Sequence, residues 1–370
     1  MKKLFAIAIA VAALAACAKT EVNTASRNAI SFQPANQITA SRVTGSVFPT
    51  TETFGVYAWT PGTTGEYFIE NKQVAFDGTQ WTTATPYYWP KNQAVDFFCY
   101  YPYNIAGTIP AVTKTSITYN NIDFSATQLD LMYSDKAVGY TDNAQQVEDG
   151  QNAYEGVPTI FRHVGCKVKV NVILGENERT ETDGAVTKWE VILKSVQLSG
   201  LFTKGNCTLN LSSTDNGIIP WTKPEDIHGN KVWEADSTII NSTSNSLYND
   251  VQVHNLVKNE GVTVIPETYM LPQTLTAGQQ KIRLTFDIKT YRKAAGASDF
   301  ALALSQTDVL ATADLLINTG NLSTSVLAWQ INQSIVYNIT LGPAGKQITF
   351  DPAIDAWESR TVATNIELGV

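Results

Sequence analysis

Along much of the chain apolar and polar residues alternate with a period of two. In Cys166-Lys167-Val168-Lys169-Val170-Asn171-Val172 every even position is apolar and every odd one polar. Ile282, Leu284, Phe286 and Ile288 form a second stripe, with Lys281, Arg283, Asp287 and Lys289 on the opposite face. Ile335, Tyr337, Ile339 and Leu341 form a third. Successive side chains of a strand point to opposite faces, so these stripes predict strands with one face on a core and one in water. Thr, Val, Ile and aromatic residues dominate the runs, and Gly, Pro, Asn and Asp interrupt them at short intervals. The pattern predicts an all-β chain of antiparallel β-sandwiches. Between Trp189 and Leu198 the stripe changes phase. Trp189, Val191 and Leu193 are odd, whereas Val196 and Leu198 are even. A one-residue slip would turn the strand inside out, so a β-bulge is expected near Lys194. Asp299 to Gly320 gives no single answer: its Ala and Leu favour a helix, and Thr312–Asn318 reads as a strand.

The opening residues follow another rule. Lys2 and Lys3 precede an unbroken apolar run from Leu4 to Ala16. A basic start and a short apolar run predict a secretory signal peptide. A membrane-spanning helix needs roughly 20 apolar residues, more than this run supplies. Leu14-Ala15-Ala16-Cys17 ends it and matches the bacterial lipobox at all four positions. Residues 1–16 are therefore expected to be removed and Cys17 to carry the lipid. An ordinary signal peptide with a coincidental cysteine is the alternative.

Composition narrows the partners. Loss of Lys2 and Lys3 lowers the basic count from 26 to 24 against 34 acidic residues. Nucleic acid is excluded as an expected partner, because phosphate binding needs clustered positive charge. Thr141–Gly156 and the acidic stretch Gly175–Gly184 are polar and loop-like. The second places a domain boundary near residue 180, giving domains at 43–180 and 181–370.

Signals for chemistry are few. Cys99, Cys166 and Cys207 remain beyond Cys17, an odd number without a CxxC pair. Buried free thiols are favoured over one disulfide with a thiol left over. His163, His228 and His254 show no metal-ligand spacing. No GxSxG elbow, Walker A loop or GxGxxG is present. Paired carboxylates need no fixed local spacing, yet no acid stands out from the loop acids. No cofactor, metal or enzymatic activity is expected. Tyr57, Trp59, Tyr87, Tyr88, Trp89, Tyr100, Tyr101 and Tyr103 crowd the first domain. They read either as core packing or as a platform that stacks on sugar rings.

With these elements placed, the chain resembles the fimbrillin-like lipoproteins of Bacteroidales, the subunits of type V pili. The matching landmarks begin with Leu14–Cys17, Ile30-Ser31-Phe32 and Phe54-Gly55-Val56-Tyr57-Ala58-Trp59. Tyr87-Tyr88-Trp89-Pro90, Val95–Pro102, Asp130-Leu131-Met132-Tyr133-Ser134 and Phe161-Arg162-His163 follow. Met270-Leu271-Pro272-Gln273, Trp329 with Tyr337, and Ile354 with Trp357 complete them. The resemblance implies two transthyretin-like antiparallel β-sandwich domains in tandem. It also implies a lipid-anchored segment, 17–42, whose first strand is removed by an arginine-specific protease. Arg42 is the expected cut, with Arg27 a poorer one. The vacated groove would accept a strand from another pilus subunit. A donor is offered at 361–370, where Val362, Thr364, Ile366, Leu368 and Val370 alternate with polar or small residues. Those ten residues could equally form a last strand folded into their own domain.

Shaft, anchor and tip roles all fit this reading, which places the protein in the outer membrane and fimbrium with a host or bacterial surface receptor as a further partner. A monomeric surface lipoprotein that binds glycans through its aromatic patch is the main alternative. A hydrolase on a sandwich scaffold is the third.

Overall fold

The computed structural model describes residues 29–36, 48–91, 93–104, 109–124, 128, 130–141, 156–211, 221–222, 238–241, 254–256, 260–318, 320, 325–342, 348–355, 360–361 and 364–366. Among them every regular element is a β-strand, and no helix is long and apolar enough to cross a membrane. Most strand pairings are antiparallel, as the alternation predicts. Two run parallel: Phe32–Asn36 with Val157–His163, and Cys166–Leu174 with Ser334–Leu341. A sandwich antiparallel throughout therefore needs amending. Each parallel pair joins segments far apart in sequence, as parallel partners must be.

The first sheet closes on itself. Phe54–Trp59, Ile69–Phe76, Trp81–Thr83, Phe32–Asn36, Val157–His163, Met132–Ser134 and Val95–Tyr101 follow in hydrogen-bonded order. Phe54–Trp59 also pairs with Val95–Tyr101, which completes a ring. Ala137–Tyr140 lies along the remaining length of Val95–Tyr101. The strand Phe54–Trp59 is buried on both faces, which explains its continuous apolar run. Phe54, Val56 and Ala58 face one cluster, with Phe97 and Cys99. Tyr57 and Trp59 face another, with Phe98 and Tyr100.

That second cluster is covered by a four-stranded sheet of Trp221–Thr222, Lys204–Asn210, Ser116–Asp123 and Ala111–Val112. Ser116–Asp123 and Lys204–Asn210 pair across residue 180. Cys166–Leu174 likewise pairs forward, with Gly261–Met270 and Ser334–Leu341. Strands before and after residue 180 thus pair with one another in two of the sheets.

The third body is a pair of facing sheets. One contains Gly261–Met270, Cys166–Leu174, Ser334–Leu341 and Ile348–Asp355, with Arg360–Thr361 and Thr364–Ile366 beside the last. The other contains Glu178–Thr180, Val186–Ser199, Lys281–Lys293 and Ala301–Asp314. All three sequence stripes lie in the cluster between them. The phase change also has its bulge: the register with Lys281–Lys293 shifts between Leu193 and Ser195, at Lys194. Lys194 points outward to Asp287 and Asp308. Trp189, Val191, Leu193, Val196 and Leu198 consequently all reach the core. The ambiguous stretch after Asp299 is a strand, Ala301–Asp314, whose first half is exposed on both faces.

Cys99, Cys166 and Cys207 are buried free thiols. Burial raises the pKa of each above its ordinary value, which keeps the unreactive thiol form at neutral pH.

Candidate functional site

Ile30-Ser31-Phe32 enters the ring as an alternating strand must, apolar side chains inward. Ile30 is 1% exposed and Phe32 3%. The Ile30 amide donates to the Tyr87 carbonyl at 2.8 Å, and the Val157 amide to the Ser31 carbonyl at 2.8 Å. From there Phe32 to Asn36 runs parallel to Val157–Phe161. Its other edge meets Trp81–Thr83 at one position only, Phe32 opposite Trp81. This strand is therefore the clasp of the ring, with a continuous ladder on one side and, on the other, separate contacts to Trp81, Tyr87 and Tyr88.

The pocket beneath it is aromatic. The Phe32 ring lies edge-on to Phe54 and to Phe97, with centroids 5.9 Å away in each case. Phe48 stacks on Phe161 at 5.1 Å and meets Phe54, Trp81 and Tyr101 edge-on. Such offset and edge-on pairs add about 0.5–1.5 kcal/mol each beyond area burial.

The partner strand Val157–His163 is braced from its far side. Phe161, Arg162 and His163 pair with Ser134, Tyr133 and Met132. Arg162 makes a forked ion pair with Asp135, through Nε at 2.5 Å and Nη2 at 2.9 Å. His163 Nδ1 lies 2.5 Å from Asp130 Oδ1. Ser134 Oγ accepts the Cys99 amide proton at 2.8 Å. Two landmarks, Asp130–Ser134 and Phe161–His163, are thus one structure: the wall against which the first strand lies.

Gly156 had no signal of its own beyond a glycine before an apolar run. A Cβ there would sit 2.8 Å from Phe32 N, Phe32 C and Ser31 C. All three are backbone atoms and cannot swing aside. Gly156→Ala is expected to weaken docking of the first strand by about 1–3 kcal/mol. Amide exchange at Val157, which donates to Ser31, should accelerate about tenfold or more while the Cys166–Leu174 amides are unchanged.

The aromatic crowd mostly belongs to the core. Tyr57, Trp59 and Tyr100 are buried, Tyr87, Trp89, Tyr101 and Tyr103 are partly covered, and Tyr88 alone of the eight is 48% exposed. Burial pushes the Tyr57 hydroxyl up to about 12. Tyr101 is likewise raised, by burial and by the Glu52 carboxylate that accepts its hydroxyl proton at 2.9 Å.

At the other end of the chain, Thr364–Ile366 pairs with Ile348–Phe350 in its own sheet. Thr364 and Ile366 of the candidate donor are placed there, whereas Val362, Leu368 and Val370 lie outside the described residues. Cys17, Arg27, Arg42 and His228 also lie outside them. Among the described residues no group of three or more His, Cys, Asp or Glu side chains could hold a metal ion.

A family model described as fimbrillin-like matches residues 41–357. The chain belongs to the fimbrillin-like family. Membership supports a role as a fimbrial subunit at the cell surface. The matched span begins after the first strand of this fimbrillin-like protein and ends before its last two. Among solved structures, a fimbrial protein from Bacteroides vulgatus is similar at 16% identity. The match covers 89% of this chain and 99% of that one with a TM-score of 0.47. The tip fimbrial protein Mfa3 from Porphyromonas gingivalis, solved with a C-terminal truncation, is similar at 12% identity. That match covers 83% of this chain and 94% of the other, with a TM-score of 0.38. No curated protein matches.

Proposed function

We propose that this fimbrillin-like protein is a type V pilus subunit, exported as an outer-membrane lipoprotein through Cys17 and assembled by strand exchange. One observation carries the reading. The first strand supplies Ile30 and Phe32 to an aromatic pocket and closes the ring, and Arg42 lies in the sequence between that strand and Phe48 of the same pocket. A cut after Arg42 would leave the strand in place by contacts alone. Its departure would bare the edge of Val157–His163 and an apolar cleft, both unfavourable in water until another strand fills them.

The donor is the segment 361–370, alternating through Val362, Thr364, Ile366, Leu368 and Val370. It leaves its own sheet, in which Thr364–Ile366 pairs, for the groove of a neighbour. Donor and groove occupy different surfaces, so the contact is heterologous and grows a filament. The architecture consistent with this is two transthyretin-like sandwiches in tandem, the ring with its covering sheet and the facing pair of sheets. Along the chain the proposed domains remain 43–180 and 181–370, with Cys166–Leu174 lent to the facing sheets and Lys204–Asn210 and Trp221–Thr222 lent to the cover of the ring.

The test uses the full chain beginning after Cys17 and an arginine-specific protease. The expected result is cleavage after Arg42, read by mass, and a cut protein that takes up a labelled Ala29–Ala40 peptide while the uncut protein does not. A resistant chain, or a cut chain that binds no such peptide, would argue against exchange at this groove.

A further inference from the structure

The side chains that fill the groove differ in kind from those of the chain's own terminal segment. Two residues apart, the first strand fills its pocket with an aliphatic side chain and then a phenyl ring, Ile30 and Phe32. The ring is gripped on two sides by Phe54 and Phe97. Gly156 fixes the path as well, because the backbone at Ser31 and Phe32 leaves no space beside it. A replacement strand must follow that line and cannot shift sideways to reach a better fit.

The terminal segment alternates correctly but has no aromatic residue anywhere from Thr361 to Val370. Every in-phase register therefore sets an aliphatic side chain or a threonine on the Phe32 position; with Ile366 on Ile30 it is Leu368. An isobutyl group in a phenyl-shaped site leaves a void lined by Phe54 and Phe97, which packed rings fill only in part. It also forfeits both edge-on ring contacts.

We infer that the groove selects a donor strand with an aliphatic residue followed two positions later by an aromatic one. Its natural occupant is then the strand of a different pilus subunit, not a second copy of this chain. The inference rests on the strand-exchange reading and adds the identity of the partner's chemistry. Selection of this kind is a difference between two affinities, and one poorly filled pocket suffices to order subunits along a fibre.

The measurement is peptide binding by fluorescence anisotropy to the Arg-protease-cut full chain. Four labelled peptides are compared: Ala29–Ala40, the same with Phe32→Leu, Thr361–Val370, and Thr361–Val370 with Leu368→Phe. The native first-strand peptide is expected to bind at least tenfold more tightly than the terminal peptide. Phe32→Leu should lose about as much as Leu368→Phe gains, on the order of tenfold. Equal binding of the Thr361–Val370 and Ala29–Ala40 peptides overturns the inference in favour of self-assembly, and so does the absence of any gain from Leu368→Phe. Failure of the native Ala29–Ala40 peptide to bind is a separate result: it removes the strand-exchange reading and the inference with it.

Discussion

Replacing Trp329 by alanine is expected to lower the unfolding free energy by about 3–5 kcal/mol, a large share of the stability of an ordinary domain. Trp329 is fully buried in the cluster between the two facing sheets. Its indole Nε1 donates to the Tyr337 hydroxyl at 2.9 Å, and that hydroxyl donates to the Leu315 carbonyl at 3.0 Å. The alanine variant loses a fully buried indole from this core and leaves the Tyr337 oxygen with an unfilled acceptor position. Trp329→Phe keeps most of the volume but not the donor, and should cost about 1–3 kcal/mol. Urea unfolding followed by circular dichroism separates the two. A Trp329→Ala chain within 1 kcal/mol of the parent would show that the site collapses around the missing ring.

Phe32→Ala is expected to have a similar total cost in the uncut chain, about 3–5 kcal/mol, but a different distribution. The ring touches Phe54 and Phe97 inside the closed sheet and nothing in the facing pair. Hydrogen exchange should therefore show lost protection at Val157–His163 and Phe54–Trp59, with Cys166–Leu174 and Ser334–Leu341 unaffected. Equal loss of protection in both regions would mean that the ring and the facing sheets unfold as one unit and that the first strand is no separable clasp.

The sequence showed best those elements whose two faces differ. The stripes at Cys166–Val172, Ile282–Ile288 and Ile335–Leu341 are strands in the structure because one face of each meets the same core. The bulge at Lys194 was legible for that reason too, since only an extra residue lets both halves of a stripe point inward. Ala301–Asp314 was not, because its first half has no buried face and so no period. Its strand conformation comes from pairing with Lys281–Lys293, a contact that local composition does not encode. The pairing of Ser116–Asp123 with Lys204–Asn210 was not legible either, because alternation within a segment does not name its partner. At the candidate site, Ile30-Ser31-Phe32 was visible as a landmark of the family resemblance. Gly156 was not, since its role is set by the backbone that passes beside it rather than by its neighbours in sequence.

The closed ring also sets a timetable. Its clasp, Phe32–Asn36, is among the first parts of the chain to be made, yet its parallel partner ends at His163. Until that partner exists, only scattered backbone contacts, to Trp81, Tyr87 and Tyr88, are available to hold the early strand. Long loops make such closures slow, and unpaired apolar strands made early are exposed while they wait. A nascent chain shorter than about His163 is therefore still threadlike at its front end. The facing sheets repeat the delay, because Cys166–Leu174 waits for Ser334–Leu341. The facing sheets commit to their final shape late in synthesis, and a chain truncated before Ser334 would hold every strand of the ring yet leave the facing sheets incomplete.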